Sequence, residues 1–401
     1  MKTVLFVINT MGIGGAEHAI LKLLQQMNFE SCEVSLFILT GQGELSGCIP
    51  EKVNVINKKV YPVSVLDRAG EMRLFRTVIK ACFARGTIFR RAGYIVANLL
   101  FMMKKGTVQK DKLLWKILAD GSQRFSREFD LAVAYLEGGA AYYVASHVKA
   151  KKKAAFIHTK YELAGYNRKL DEDCYIKFDH VFAVSEYVKK GFLSVYPECR
   201  DCTTLFRNLI NREEILTKAK EKGGFADDFD GFRILSVGRL VAAKAVNVSI
   251  EAMRILKRSG KPFRWYVLGE GEMREELESK IREYGLERDF VLPGTVRNPF
   301  PYYVQCNLYV HTAYYEGRSV AVEEAQILGC AILTTEYDGV REQIQDGIDG
   351  RICRLEPEVL AAHILALEEQ PDRCTAYGHA ASKREHADGR EELDKLMDLI
   401  R

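Results

Sequence analysis

The chain has 401 residues, too many for one ordinary hydrophobic core, so its length points to two domains. Hydrophobic residues make up 47% and charged residues 28%, which excludes a disordered chain. The net charge of +4 is too small to argue for any partner by itself, and no nucleic-acid partner is expected.

Taken from the start, residues 3–8 form a short apolar run that reaches Gly12, Gly14 and Gly15 too soon for a secretory signal. The run reads as a first strand entering a glycine loop. The ten cysteines are therefore expected as reduced thiols and the protein as cytoplasmic. Further strands are expected at 33–39, 131–135, 154–157 and 180–184, then at 232–237, 264–268, 290–292, 308–311 and 331–334. Helical patterns separate them, as in parallel-sheet α/β proteins.

This alternation predicts two doubly wound domains, 1–207 and 232–380, with ligands at the C-terminal ends of their strands. The Gly- and Asp-rich stretch 208–231 suits a linker. Residues 381–401 are expected as a helix returning to the first domain, and the two domains are expected to face each other across a cleft.

Residues 67–127 break the alternation. They read as helices and hold fourteen Lys/Arg against four Asp/Glu, a basic insertion in the N-terminal domain. Their apolar residues include Leu74, Phe75, Val78, Ile79, Phe83, Ile88 and Phe89. The apolar run 94–103 is far shorter than the ~20 residues of a membrane helix. Arg90, Arg91, Lys104 and Lys105 bracket it. Such a mixture suits a helix lying on the inner face of a membrane; the alternative is a helical subdomain packed on the core. Cys199 and Cys202 form a CxxC without a second ligand pair, so no metal site is expected.

Several residues could carry chemistry. Tyr315 to Gly329 follows a strand and opens a helix that Gly329 would cap. The amides of Gly317, Arg318, Ser319 and Val320 would lie free at its N-terminus, where the dipole favours a diphosphate. Glu316 before the helix and Glu324 within it could hold sugar hydroxyls at two points. Arg239 and Lys244 follow a strand ending at Gly238 and could aim two charges at a leaving diphosphate. Gly269-Glu270-Gly271 invites a dinucleotide reading, but Arg274 stands where its third glycine belongs. In the first half, Gly14 and Gly15 allow close backbone approach, and His158 stands at a strand's C-terminal end.

In order and spacing, these pieces resemble the retaining glycosyltransferases of family four, which have the GT-B fold. The likeness also includes Leu136-Glu137-Gly138-Gly139, Val184-Ser185-Glu186, Arg207-Asn208 and Asp346-Gly347 with Gly350. It implies that Glu324 holds the nucleotide ribose, Glu316 the donor sugar, and Arg239 with Lys244 the diphosphate. It implies too that Gly14, Gly15 and His158 line the cleft near the transferred sugar and acceptor, and that Gly294, Thr295 and Val296 meet the base. Ala245 departs from the glycine usual after the lysine.

The expected activity is transfer of a hexose from a nucleoside diphosphate sugar, a UDP-sugar first, to a glycan or lipid-linked acceptor in bacterial surface polysaccharide assembly. No cofactor is required beyond that donor. The rivals are a sugar-nucleotide epimerase or phosphorylase of the same fold, and a non-catalytic subunit of an assembly complex.

Overall fold

The structure, a computed structural model, describes all residues except 66, 107, 162–163, 208 and 387–388. It divides into two compact units, Met1–Leu209 with Ala387–Arg401, and Ile210–His386.

The first unit is built on a seven-stranded sheet of order β3-β2-β1-β4-β5-β6-β7. Its strands are β1 (Lys2–Ile8), β2 (Cys32–Ile38), β3 (Asn54–Val55), β4 (Phe129–Ala134), β5 (Ala150–Ile157), β6 (His180–Ala183) and β7 (Thr203–Leu205). All pairings are parallel. Alternate residues of a strand point to opposite faces, so a sheet covered on both sides needs an unbroken apolar run. In β1, Leu5 and Val7 enter one core cluster while Val4, Phe6 and Ile8 enter another.

The second unit repeats the design with six parallel strands in the order β10-β9-β8-β11-β12-β13. They are β8 (Phe232–Val237), β9 (Phe263–Leu268), β10 (Phe290–Gly294), β11 (Leu308–His311), β12 (Ile332–Thr335) and β13 (Arg351–Cys353). Strand order reverses between β1 and β4 and again between β8 and β11. Each reversal opens a crevice beyond the strands' C-terminal ends, the usual ligand position in doubly wound sheets.

The chain passes between units at Leu209/Ile210, not across a linker of 208–231. Within that stretch the helix Arg212–Lys218 starts at Asn211, whose side chain accepts from the Glu214 amide, and buries Ile215. Asp227 is tied to Arg233 at 3.1 Å and to Arg264 at 2.9 Å. Burial raises the Asp227 carboxyl, but Tyr266, Arg264 and Arg233 outweigh it and bring it down to about 2. An aspartate spent this way straps the segment to the second unit. At the other end, the helix Gly389–Met397 buries Leu396 in a first-unit cluster.

Among its described residues the basic insertion holds the α-helices α2 (Arg68–Phe83), α3 (Thr87–Lys104) and α4 (Lys110–Gly121), numbered after α1 (Gly15–Gln26). They pack on the core and also expose apolar residues. Val78, Ala81, Met102, Leu113 and Ile117 are buried, while Phe75, Phe83, Phe89 and Leu100 are at least 60% exposed. Arg91, expected among the surface cations, is not available to solvent anions. It is held by Asp120 at 2.5 Å and Glu172 at 3.0 Å, and Lys116 is held by Glu172 at 2.8 Å. Among the described residues, no helix is long and apolar enough to cross a membrane.

Candidate active site

Three loops at the C-terminal ends of β8, β9 and β10 are stitched by backbone hydrogen bonds. The Gly238 amide donates to Leu268 O at 3.0 Å, Leu240 to Glu270 O at 2.8 Å, and Gly269 to Gly294 O at 2.9 Å. A Cβ on Gly269 would run into the Gly238 carbonyl, and one on Gly271 into the Leu240 backbone. Gly269 and Gly271 are therefore accounted for by loops packing on each other, without a dinucleotide.

The stitching sets the stage for a charged cluster. Lys244 reaches Glu316, seventy-two residues later, in a direct ion pair, and His311 Nε2 lies 3.7 Å from the same carboxylate oxygen. Arg239 is exposed and shares a small cavity wall with Lys244, His311 and Thr312. Burial works to raise the Glu316 carboxyl, but the charge of Lys244 and the His311 contact hold it well below the usual range. His311 is pushed down by burial and by Lys244, and so stays neutral near pH 7. Lys244 and Glu316 offset each other, which leaves Arg239 as the cluster's surplus positive charge.

The loop that carries Lys244 is fixed from both sides. Thr312 Oγ1 donates to Lys244 O at 2.8 Å, and the Tyr314 amide to Ala243 O at 2.9 Å. Ala245 turns the chain into the next helix with φ +49 and ψ 34, a left-handed conformation that glycine adopts more easily.

The helix Val320–Ile327 starts at Ser319, whose hydroxyl accepts from the Val322 amide. Its amides are not all free, as the sequence led us to expect. Gln343 accepts from the Ser319 amide and donates to the Ser319 carbonyl, each at 2.8 Å. The Arg318 guanidinium is folded onto the buried Glu323, at 2.7 Å for Nε, and Gly317 is buried against Gly339. Glu324 accepts from Tyr303 Oη at 3.2 Å. Gly329 ends the helix with φ +69. Gly294 has φ +89 and is buried, Thr295 is exposed, and Val296 rests partly on the core.

In the first unit, the buried Glu137 organises the loop after β5. One of its carboxylate oxygens accepts from the His158 amide at 2.8 Å, the Thr159 amide at 3.0 Å and the Thr159 hydroxyl at 3.2 Å. His158 stacks on Phe156, and burial lowers its pKa despite Glu137 and a backbone bond to Tyr135. Gly14 caps α1, and Gly15 faces open space. Of the residues brought together, His311, Thr312 and Gln343 were missed in the sequence. Polar residues ending a strand or sitting in a short helix carry no local signal. Asn208, half of one motif, lies outside the described residues.

Residues 218–384 match the family described as glycosyl transferases group 1. The match lies wholly within the second unit. A Campylobacter jejuni N-acetylgalactosamine-N,N'-diacetylbacillosaminyl-diphospho-undecaprenol 4-alpha-N-acetylgalactosaminyltransferase is 33% identical over 160 residues, 40% of this chain and 42% of that relative. The amylovoran biosynthesis glycosyltransferase AmsK of Erwinia amylovora is 30% identical over 146 residues, 34% of this chain and 36% of its own length. The similarity thus spans about two-fifths of these relatives. The crystal structure of Anabaena HepE in complex with UDP and glucose superposes with a TM-score of 0.69 at 14% identity, covering 99% of both chains. The fold is GT-B. At that identity the likeness is one of fold.

Proposed function

We propose that this chain is a retaining glycosyltransferase that moves a hexose from a nucleoside diphosphate sugar, a UDP-sugar, to a hydroxyl of a glycan or lipid-linked acceptor in polysaccharide assembly. The observation that carries the reading is the Lys244–Glu316 pair beside the exposed Arg239, at the strand-order reversal of the unit that matches group 1 transferases. The UDP and glucose bound to HepE and the diphospho-undecaprenol in the Campylobacter relative's name support the two substrate classes.

In this reading Arg239 and Lys244 stabilise the charge that develops on the leaving diphosphate, the largest electrostatic demand of the reaction. Glu316 contacts the donor sugar while its pair with Lys244 keeps it ionised. Glu324, fixed by Tyr303, holds the ribose, and Gly294 to Val296 meet the base. Gly317 to Val320 lie along the phosphates. Gly14, Gly15 and His158 serve the sugar and acceptor side. The departing phosphate takes the acceptor's proton on the face it leaves, so neither a metal nor a protein base is required.

The membrane part of the reading rests on α2 and α3. Met72, Phe75, Ile79 and Phe83 form one exposed stripe along α2, and Phe89, Val96, Leu100 and Met103 another along α3. Exposed Arg90, Lys104 and Lys105 accompany them, suited to anionic headgroups.

Calorimetry across UDP-, GDP- and ADP-sugars, with NMR of the anomeric proton of the product, tests the assignment. Micromolar binding of one sugar nucleotide and a retained configuration are expected. An inverted product, or no sugar-nucleotide binding at all, rejects it.

A further inference from the structure

The first unit holds a cavity of about 380 Å³ in which none of the proposed donor contacts lies. Its floor is Phe37, Leu39 and Thr40 at the end of β2. One wall is the segment 57–61, and the other is α2. Arg73, Arg76 and Lys80 project from one face of α2, spaced by three and four residues, and Lys59 enters opposite them. The lining contains no aspartate or glutamate. Among the described residues, none of the four cations has a carboxylate partner. Arg91 and Lys116, elsewhere in the same insertion, are both spent on carboxylates.

Two of the four are held in place by an aromatic ring. The Arg73 guanidinium carbon lies 3.2 Å from the Tyr61 ring centroid, and Lys59 Nζ lies 5.0 Å from it. Positioning like charges around one recess without a counter-charge is unfavourable unless an anion enters. Guanidinium pairs match the oxygens of phosphate groups, and the cavity has room for more than one such group.

The cavity adjoins the glycine loop. Its lining residue Gly41 belongs to the segment 40–43, where Gln42 O accepts from the Met11 amide at 2.9 Å and Gln42 Nε2 donates to Gly70 O at 3.0 Å. One short loop thus ties α2 to the start of the Gly14–Gly15 turn. On α2 itself, the exposed stripe of Met72, Phe75, Ile79 and Phe83 lies about 100° around the helix from the cationic face.

We propose that this cavity is an anion site for the phosphate or diphosphate group of the acceptor, separate from the donor diphosphate contacts. The proposal deepens the transferase reading and rests on it for the word acceptor; the anion site itself does not. A lipid-linked diphosphate would set its charge on Arg73, Arg76, Lys80 and Lys59 and its chain along the adjacent apolar stripe. A soluble sugar phosphate would use the cations alone.

The test uses the full chain with Arg239→Ala and Lys244→Ala, so that pyrophosphate cannot bind the proposed donor contacts. Isothermal titration with inorganic pyrophosphate should show one saturable site. Adding Arg73→Gln, Arg76→Gln and Lys80→Gln should weaken it at least tenfold. The charge-conserving Arg73→Lys, Arg76→Lys, Lys80→Arg set should restore most of the binding and controls for folding. No pyrophosphate binding, or binding that the Gln set leaves unchanged, overturns the site.

A short-chain prenyl diphosphate in detergent separates the two sources. Binding at least tenfold tighter than pyrophosphate, with the gain lost in Phe75→Ser, supports a lipid-linked ligand; equal affinity supports a soluble one. Nucleoside diphosphate binding is measured on the chain with its donor residues intact. Pyrophosphate binding in the cavity without any nucleotide binding would keep the anion site and reject the transferase reading.

Discussion

The two units use one architecture and treat charge in opposite ways. At the reversal point of the second sheet, Lys244 and Glu316 are already paired, and three loops are stitched by main-chain bonds. Beside the first sheet, four cations surround a cavity lined by no carboxylate, and the Glu137 carboxylate accepts three bonds from the loop carrying His158. The family match falls only on the second unit. The family match thus falls on the prearranged half, and the uncompensated charge lies in the half outside it.

The largest effect should come from breaking the prearranged half. Lys244→Ala or Arg239→Ala is expected to lower turnover by two to three orders of magnitude, the usual loss for one contact made in the transition state. Hydrolysis of the preferred sugar nucleotide reads it directly. Chelation should leave that activity in place if, as proposed, the two cations supply the neutralisation; loss restored by magnesium would reject this account. Near-normal turnover by a folded double variant would show that the cluster is structural only.

In the first unit the corresponding weak point is Glu137. Glu137→Ala strands two amides and a hydroxyl that now share one carboxylate oxygen. Leaving a buried donor unpaired costs about 1–3 kcal/mol, but Thr159 is exposed and its two donors can rehydrate, so a loss of about 2 kcal/mol in urea unfolding is expected. A loss below about 1 kcal/mol would mean that the loop after β5 is held by something else.

Sequence reading succeeded where burial is continuous. The strands 3–8, 33–39 and 154–157 are largely buried runs, and 232–237 is buried at its centre, Ile234 and Leu235. The strands it missed are β3, β7 and β13, each two or three residues long and each at a sheet edge. An edge pairs on one side only and needs no apolar run. In the site, Lys244 and Glu316 were each picked out, but their pairing spans seventy-two residues and only the fold creates it. The expected free amide of Ser319 failed for the same reason, because Gln343 arrives from another element. The insertion could not be phased from sequence, and the structure divides its apolar residues between core and surface.

That division sets the third test. Cosedimentation with anionic vesicles should fall at least about tenfold in Phe75→Ser/Phe83→Ser/Phe89→Ser, since each exposed ring offers apolar area to the bilayer. Arg90→Glu/Lys104→Glu/Lys105→Glu should weaken binding in low salt only. Arg91 is left out because its pairing with Asp120 and Glu172 makes its removal a test of folding. Equal vesicle binding by all three proteins would mean that the stripes meet something other than lipid.

The smallest expected effect is at Ala245, and it asks how rigid the donor half has to be. The residue sits at φ +49 with no exposed surface, directly after Lys244. A left-handed alanine costs about 1 kcal/mol, which Ala245→Gly would relieve. The glycine would lose the buried methyl and gain freedom in the unfolded chain, each worth a similar amount in the opposite direction. Ala245→Gly should therefore change stability by less than about 1 kcal/mol and leave turnover intact. Ala245→Val should behave differently, because a β-branched side chain is a true outlier at this φ. It must either strain the turn or rotate it, and rotation carries Lys244 away from Glu316. A loss of at least about 2 kcal/mol together with reduced turnover is expected, read by urea unfolding and donor hydrolysis on the same preparation. If valine were tolerated with full activity, the turn after Lys244 would not be what holds that charge in place.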